Sequence, residues 1–95
     1  MSAMYLVITA GPDIGRVFTV QDGETMVIGR GQDSDIQLRD IRISRKHCIV
    51  ECDRGTLLVT DSGGSGGTIV NDQAVTEQEL QPGDIIRIGD TQLRL

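Results

Sequence analysis

Three clusters in this 95-residue chain carry residue types suited to binding chemistry: Gly29-Arg30, Ser44-Arg45-Lys46-His47, and the run Gly63-Gly64-Ser65-Gly66-Gly67 leading to Thr68 and Asn71. A hydroxyl at Ser44, guanidinium groups at Arg30 or Arg45, and backbone N–H groups freed in a glycine loop are the parts needed to hold a phosphate. Arg39, Arg42, Arg45 and Lys46, four of the nine basic residues, lie within eight positions of one another. In a chain with 14 acidic residues and a formal net charge of −5, this makes a local anion site and not a basic face. Nucleic acids are excluded as partners, because their binding draws on an extended basic surface. Arg39 and Arg42 fit a solvated loop as well as they fit the edge of the anion site.

Other chemistries fit these residues less well. Ser44 and His47 as nucleophile and base would need an orienting third group and an oxyanion hole. Three-residue spacing across a strand start also points the two side chains apart, so no catalytic residue is assigned and the chain is read as a non-enzyme. The glycine run lacks the Lys-Ser/Thr ending of a nucleotide-binding loop. Cys48 and Cys52 sit four apart in one predicted strand, so their Cα atoms would be ~13 Å apart, beyond the ~7 Å limit for a disulfide. They read as reduced core thiols. With His47 alone beside them they fall short of a four-ligand zinc set, and no metal or other cofactor is expected.

The elements that must position these residues are short strands. Apolar runs of period two or a few residues are bounded by Gly, Pro, Asp and Asn, the signature of strands and turns. Strands are predicted at Met4–Ala10, Arg16–Val20, Thr25–Gly29, around Ile36 and Leu38, at His47–Cys52, Thr56–Thr60 and Thr68–Val70, around Val75, and at Ile85–Ile88 and Gln92–Leu95. Asp22-Gly23 reads as a hairpin turn. Thr76 to Leu80 predicts one helical turn, with Thr76 as cap and Glu79 as its capping-box partner. Twelve glycines stand where about 7 are average, and only Tyr5 and Phe18 are aromatic. The fold class is therefore all-β, a two-sheet sandwich with an aliphatic core, whose function resides in the loops at one end. No run approaches the ~20 apolar residues of a membrane span, and no basic residue precedes Met4–Ala10 as in a signal peptide. The expectation is one cytoplasmic domain over residues 1–95, with no membrane partner.

Four fragments in order resemble the signature of the forkhead-associated (FHA) domain family: Val27-Ile28-Gly29-Arg30; Ser44-Arg45-Lys46-His47; Asp61 with Gly67-Thr68-Ile69-Val70-Asn71; and Leu80 to Gly89. The resemblance covers essentially the whole chain. It implies an eleven-stranded FHA/SMAD-like sandwich that binds phosphothreonine peptides through loops at one end. The implied partner is a phosphothreonine-containing protein or peptide, the product of a Ser/Thr kinase. Carried onto this sequence, Arg30 reaches the phosphate or braces the loop that does, Ser44 donates its hydroxyl to a phosphate oxygen, and Arg45 adds a contact. Gly29, His47, Thr68 and Asn71 support the site, with His47 bonding across the loop base.

The family usually reads Ser-x-Asn-Gly-Thr in the glycine loop. The residue before the Asn touches the phosphate region, and the Asn clamps the peptide backbone. Those two positions are Ser65 and Gly66 here. Gly66 has no side-chain amide, so the resemblance implies a phosphopeptide site of reduced affinity. The alternative is a degenerate member of the family, a scaffold whose interactions do not depend on phosphate.

Overall fold

A computed structural model describes residues 3–64 and 66–95. The expectation placed on Ser65 lies outside the described residues. Eleven strands follow in chain order: β1 Ala3–Ala10, β2 Val17–Gln21, β3 Thr25–Gly29, β4 Ile36–Gln37, β5 Cys48–Asp53, β6 Thr56–Asp61, β7 Thr68–Val70, β8 Gln73–Val75, β9 Glu77–Leu80, β10 Ile85–Ile88 and β11 Thr91–Arg94. They form a six-stranded sheet in the order β2-β1-β11-β10-β7-β8 and a five-stranded sheet in the order β4-β3-β5-β6-β9. The expected all-β sandwich is what the chain adopts.

Period-two patterning explains the layering. Alternate residues point to opposite faces of a strand, and the inward set is mostly aliphatic in both sheets. Leu6, Ile8, Val20, Ile86, Ile88 and Leu93 of the larger sheet are buried, as are Ile28, Cys48, Val50, Cys52, Leu57 and Val59 of the smaller one. Both cysteines are free thiols in this core. Burial, aided by the charge of Asp61, pushes the Cys48 thiol up to about 12.

Two local readings are corrected. Residues 77–80 form strand β9, not a helical turn: Leu57↔Leu80 through Thr60↔Glu77 pair it with β6. The Thr76–Glu79 spacing is a local cue, and burying Leu80 while extending the sheet outweighs it. Asp22-Gly23 is not a hairpin turn either, because β2 and β3 belong to different sheets. Gly23 donates to the Cys52 carbonyl (2.7 Å), and Cys52 donates to that of Glu24 (3.0 Å), so the chain is captured by β5 as it crosses.

Residues 38–47, between β4 and β5, form no strand yet are held at several points. Leu38 and Ile43 are buried beneath them. Two buried carboxylates do the rest. Asp13, 2% exposed, accepts the Arg39 backbone N–H at 2.8 Å and the Arg16 guanidinium at 2.8 Å. Asp40, 1% exposed, accepts from the Arg42 and Asp90 backbones (2.9 and 2.8 Å) and from the Thr91 hydroxyl (2.8 Å).

Candidate functional site

The end of β3 and the β4–β5 loop are joined by a short backbone ladder. Arg30 donates to the Ser44 carbonyl and Gly31 to that of Arg45, each at 3.0 Å, while His47 donates to Ile28 at 2.8 Å. The Ser34 hydroxyl also donates to the Arg45 carbonyl, at 2.9 Å. Gly29 permits this approach: a Cβ there would run into the Arg45 carbonyl oxygen, which no neighbouring backbone shift relieves cheaply. The Arg30 side chain turns along the same loop, its Nε donating to the Ile43 carbonyl at 3.2 Å.

His47 joins this loop to the glycine loop. It is 1% exposed. Its Nδ1 accepts the Ser44 backbone N–H at 3.0 Å, and its Nε2 lies 2.7 Å from the Gly67 carbonyl. Only the neutral tautomer with hydrogen on Nε2 satisfies both bonds. Asp61 closes the base of the glycine loop, accepting the Thr68 hydroxyl at 2.7 Å and the Gly63 N–H at 3.0 Å. Gly64 rests on Ser44 so closely that a Cβ at 64 would overlap the Ser44 Oγ. Gly63, Gly66 and Gly67 all have positive φ.

The basic residues divide into two sets. Arg39 pairs with Asp13 (3.4 Å), Arg42 with Asp90 (3.1 Å) and Lys46 with Asp33 (3.6 Å). Arg30 and Arg45 form no ion pair among the described residues. Both line one open depression with Gly31, Gln32, Asp33 and Gln37, of about 650 Å³. Ser44 is half-buried between this depression and the glycine loop. Gly66 lines a neighbouring groove of about 710 Å³ with Arg42, Ile69 and Arg87. The structure thus brings Arg30, Ser44, Arg45, Gly29, His47 and Thr68 to one end, with Gly66 beside them. Asn71 lies beyond the far end of β7, where its amide donates to Asp84 (3.0 Å) and accepts from the Ile85 N–H (3.1 Å).

Asp13 and Asp40 carry the loop that presents Ser44 and Arg45, and sequence reading passed over both. Burial alone would raise their pKa values. For Asp13 the Arg39 N–H and the Arg16 guanidinium outweigh burial, and for Asp40 the Arg42 N–H and the Thr91 hydroxyl do so, leaving both carboxyls below their ordinary value. Arg16 lies three residues after Asp13 and Arg42 two after Asp40, but the other partners of Asp40 are 50 and 51 positions away.

The FHA domain model matches residues 26–89, which include all of these loops. The oxoglutarate dehydrogenase inhibitor of Corynebacterium efficiens is 40% identical over 88 residues, covering 93% of this chain and 61% of that protein. FhaA of Mycobacterium tuberculosis is 37% identical over 79 residues, 83% of this chain and 15% of that much longer protein. This chain therefore spans only part of both relatives. A solved FhaA FHA domain, complexed with the intracellular domain of Rv3910, matches with a TM-score of 0.85 at 33% identity, covering 98% of each chain. A structure described as an analysis of phosphothreonine-dependent FHA domain interactions matches at 0.83 and 32% identity, covering 96% of this chain and 94% of that one. With these loops inside the matched segment and its two sheets superposing on those of solved members, this chain belongs to the FHA domain family.

Proposed function

We propose that this domain is a phosphothreonine-dependent protein interaction module. The observation that carries the reading is that Arg30 and Arg45, the cations of this end left without ion pairs among the described residues, flank Ser44 on a loop already fixed by buried bonds. A phosphate dianion supplies the missing negative charge. Arg30 and Arg45 make charge-assisted bonds to it, Ser44 donates its hydroxyl, and N–H groups of the glycine loop contribute; Ser65 belongs to this set by resemblance. The phosphothreonine-dependent interactions named for a solved relative support the same chemistry.

The chemistry is reversible docking, without catalysis. The domain acts in the cytoplasm on proteins phosphorylated by a Ser/Thr kinase; no helix among the described residues is long and apolar enough to cross a membrane. Gly66 in place of the family Asn removes a side-chain clamp on the peptide backbone. Two neutral hydrogen bonds at about 0.5–1.5 kcal/mol each are lost, while charged bonds to phosphate at about 1.5–3 kcal/mol each remain. Affinity is therefore reduced and the site retained.

Calorimetric titration with a phosphothreonine peptide and its unphosphorylated twin tests this reading. Arg30→Ala and Ser44→Ala should each weaken phosphopeptide binding about tenfold or more, with melting temperatures near wild type. Equal binding of both peptides by the wild type would instead make the domain a phosphate-independent scaffold.

A further inference from the structure

The outer faces of the two sheets are unlike. On the five-stranded sheet the outward strand positions include Glu51, Asp53, Glu77 and Glu79, and its strands contain no basic residue. On the six-stranded sheet no outward strand position is acidic, in a chain with 14 acidic residues. Its charges are Arg87 and Arg94, neither ion-paired among the described residues. Large apolar side chains lie open beside them: Tyr5 is 57% exposed, Val7 38%, Val17 57% and Ile85 37%. Strand register sets Val17 against Val7, Val7 against Arg94, and Arg94 against Ile85, one row across four strands.

A groove leads from the Gly66 end down to this row. The groove that begins at Gly66 and Arg42 passes Ile69, Arg87 and Gln92. The same three residues lead on to Ile85. At Gly66 there is room: apart from its chain neighbours, a Cβ there would meet no atom of the described residues within 4 Å. From Ile88 down β10 to Ile85 is about 10 Å, and from β10 across to β2 is three interstrand steps, about 14 Å, together spanned by about seven extended residues.

We propose that the outer face of the six-stranded sheet is a second docking surface, and that it takes the segment of the phosphorylated partner flanking the phosphothreonine, an acidic stretch with interspersed aliphatic residues. Carboxylates of that segment meet Arg87 and Arg94, and its aliphatic side chains cover the row from Ile85 to Val17. This rests on the phosphothreonine reading above.

Three synthetic peptides test it: a phosphothreonine in neutral Gly/Ser flanks, and the same core with an Asp/Leu extension of about eight residues on its N-terminal or its C-terminal side. Wild type should bind one extended peptide about tenfold more tightly than the neutral one at low salt, with most of the gain lost at 0.5 M salt. Arg94→Glu should remove most of the gain while binding the neutral peptide as wild type does, and the Arg87→Gln/Arg94→Gln pair should abolish the gain. Circular dichroism and thermal melting report the fold of both variants. Measurable binding of the neutral peptide with no gain from either extension, or a gain that survives in a folded double variant, overturns the inference and leaves the phosphothreonine reading standing. Failure of wild type to bind any of the phosphopeptides overturns both. A wild type that sediments as a dimer, and becomes monomeric in the double variant, also overturns it, the face then belonging to a second copy.

Discussion

The two loops that meet at the recognition end are built in opposite ways. Residues 38–47 have no strand pairing of their own, yet Asp13, Asp40 and His47 fix them, and Leu38 and Ile43 sink into the core. Among the described residues the glycine loop is tied near its stems, by Asp61 to Gly63 and Thr68 and by His47 to Gly67. A phosphate bound by the first loop meets groups already in place. Contacts from the second must offset the ordering of glycine backbone, about 1–2 kcal/mol per residue. On the proposed reading, the phosphate site and the peptide clamp can therefore vary independently, and Gly66 alters the clamp alone.

The largest effect that would break this contrast comes from Asp40→Ala. It leaves the Arg42 and Asp90 N–H groups and the Thr91 hydroxyl without their acceptor, and should cost about 3 kcal/mol of stability, read by urea unfolding. Phosphopeptide affinity should fall with it in the folded fraction; unchanged affinity would mean that the loop needs no staple. Gly66→Asn sharpens the other side. Asn tolerates positive φ better than most residues, and the space is open, so phosphopeptide affinity should rise, by up to about tenfold, in calorimetry. No change would show that the amide has nothing to clamp.

Gly64→Ala probes the contact between the loops. Its Cβ would overlap the Ser44 Oγ, and the glycine loop must lift, at about 1–2 kcal/mol of stability and several-fold weaker phosphopeptide binding. Unaltered binding would place Ser44 outside the phosphate's reach.

The smallest effects are in the pH profile of stability. The Asp13 and Asp40 carboxyls titrate below 3.8 in the folded state, so the stability they confer is present above that pH and fades as pH drops through their lowered values. Thermal melts should show loops 38–47 loosening first in acid. The Cys48 thiol runs the other way. Raised from 9.0 to about 12, it confers stability that is intact below pH 9 and is lost between pH 9 and about 12, on the order of 1 kcal/mol by pH 10. Cys48→Ala should flatten that alkaline limb.

The contrast between local and distant partners also explains what could be read from sequence. Alternation at Cys48, Val50 and Cys52 is a two-residue signal, and it places the core face of β5 correctly. Ser44 and His47 are three apart, close enough for their shared hydrogen bond to leave a motif. Asp40 looked like any loop carboxylate, because its partners Asp90 and Thr91 arrive from another hairpin. The edge strand β9 was hidden for the same reason: Thr76 and Glu79 imitate a helix start, while pairing with β6 involves residues about twenty positions away. Asp22-Gly23 turns as its residues require, but whether a turn returns to its own sheet or crosses to another depends on the burial of Val20 and Ile28 on opposite sides of the core.

His47 is the only histidine of the chain, and it is held in one tautomer between the two loops. Its imidazole is thus a resident spectroscopic reporter. The Nε2 proton, shielded from solvent and directed at the Gly67 carbonyl, should exchange slowly enough to be followed by nuclear magnetic resonance. Any movement of the glycine loop on phosphopeptide addition should register in that proton, while the ring's Nδ1 senses the backbone of Ser44, so one residue reads both loops without a label.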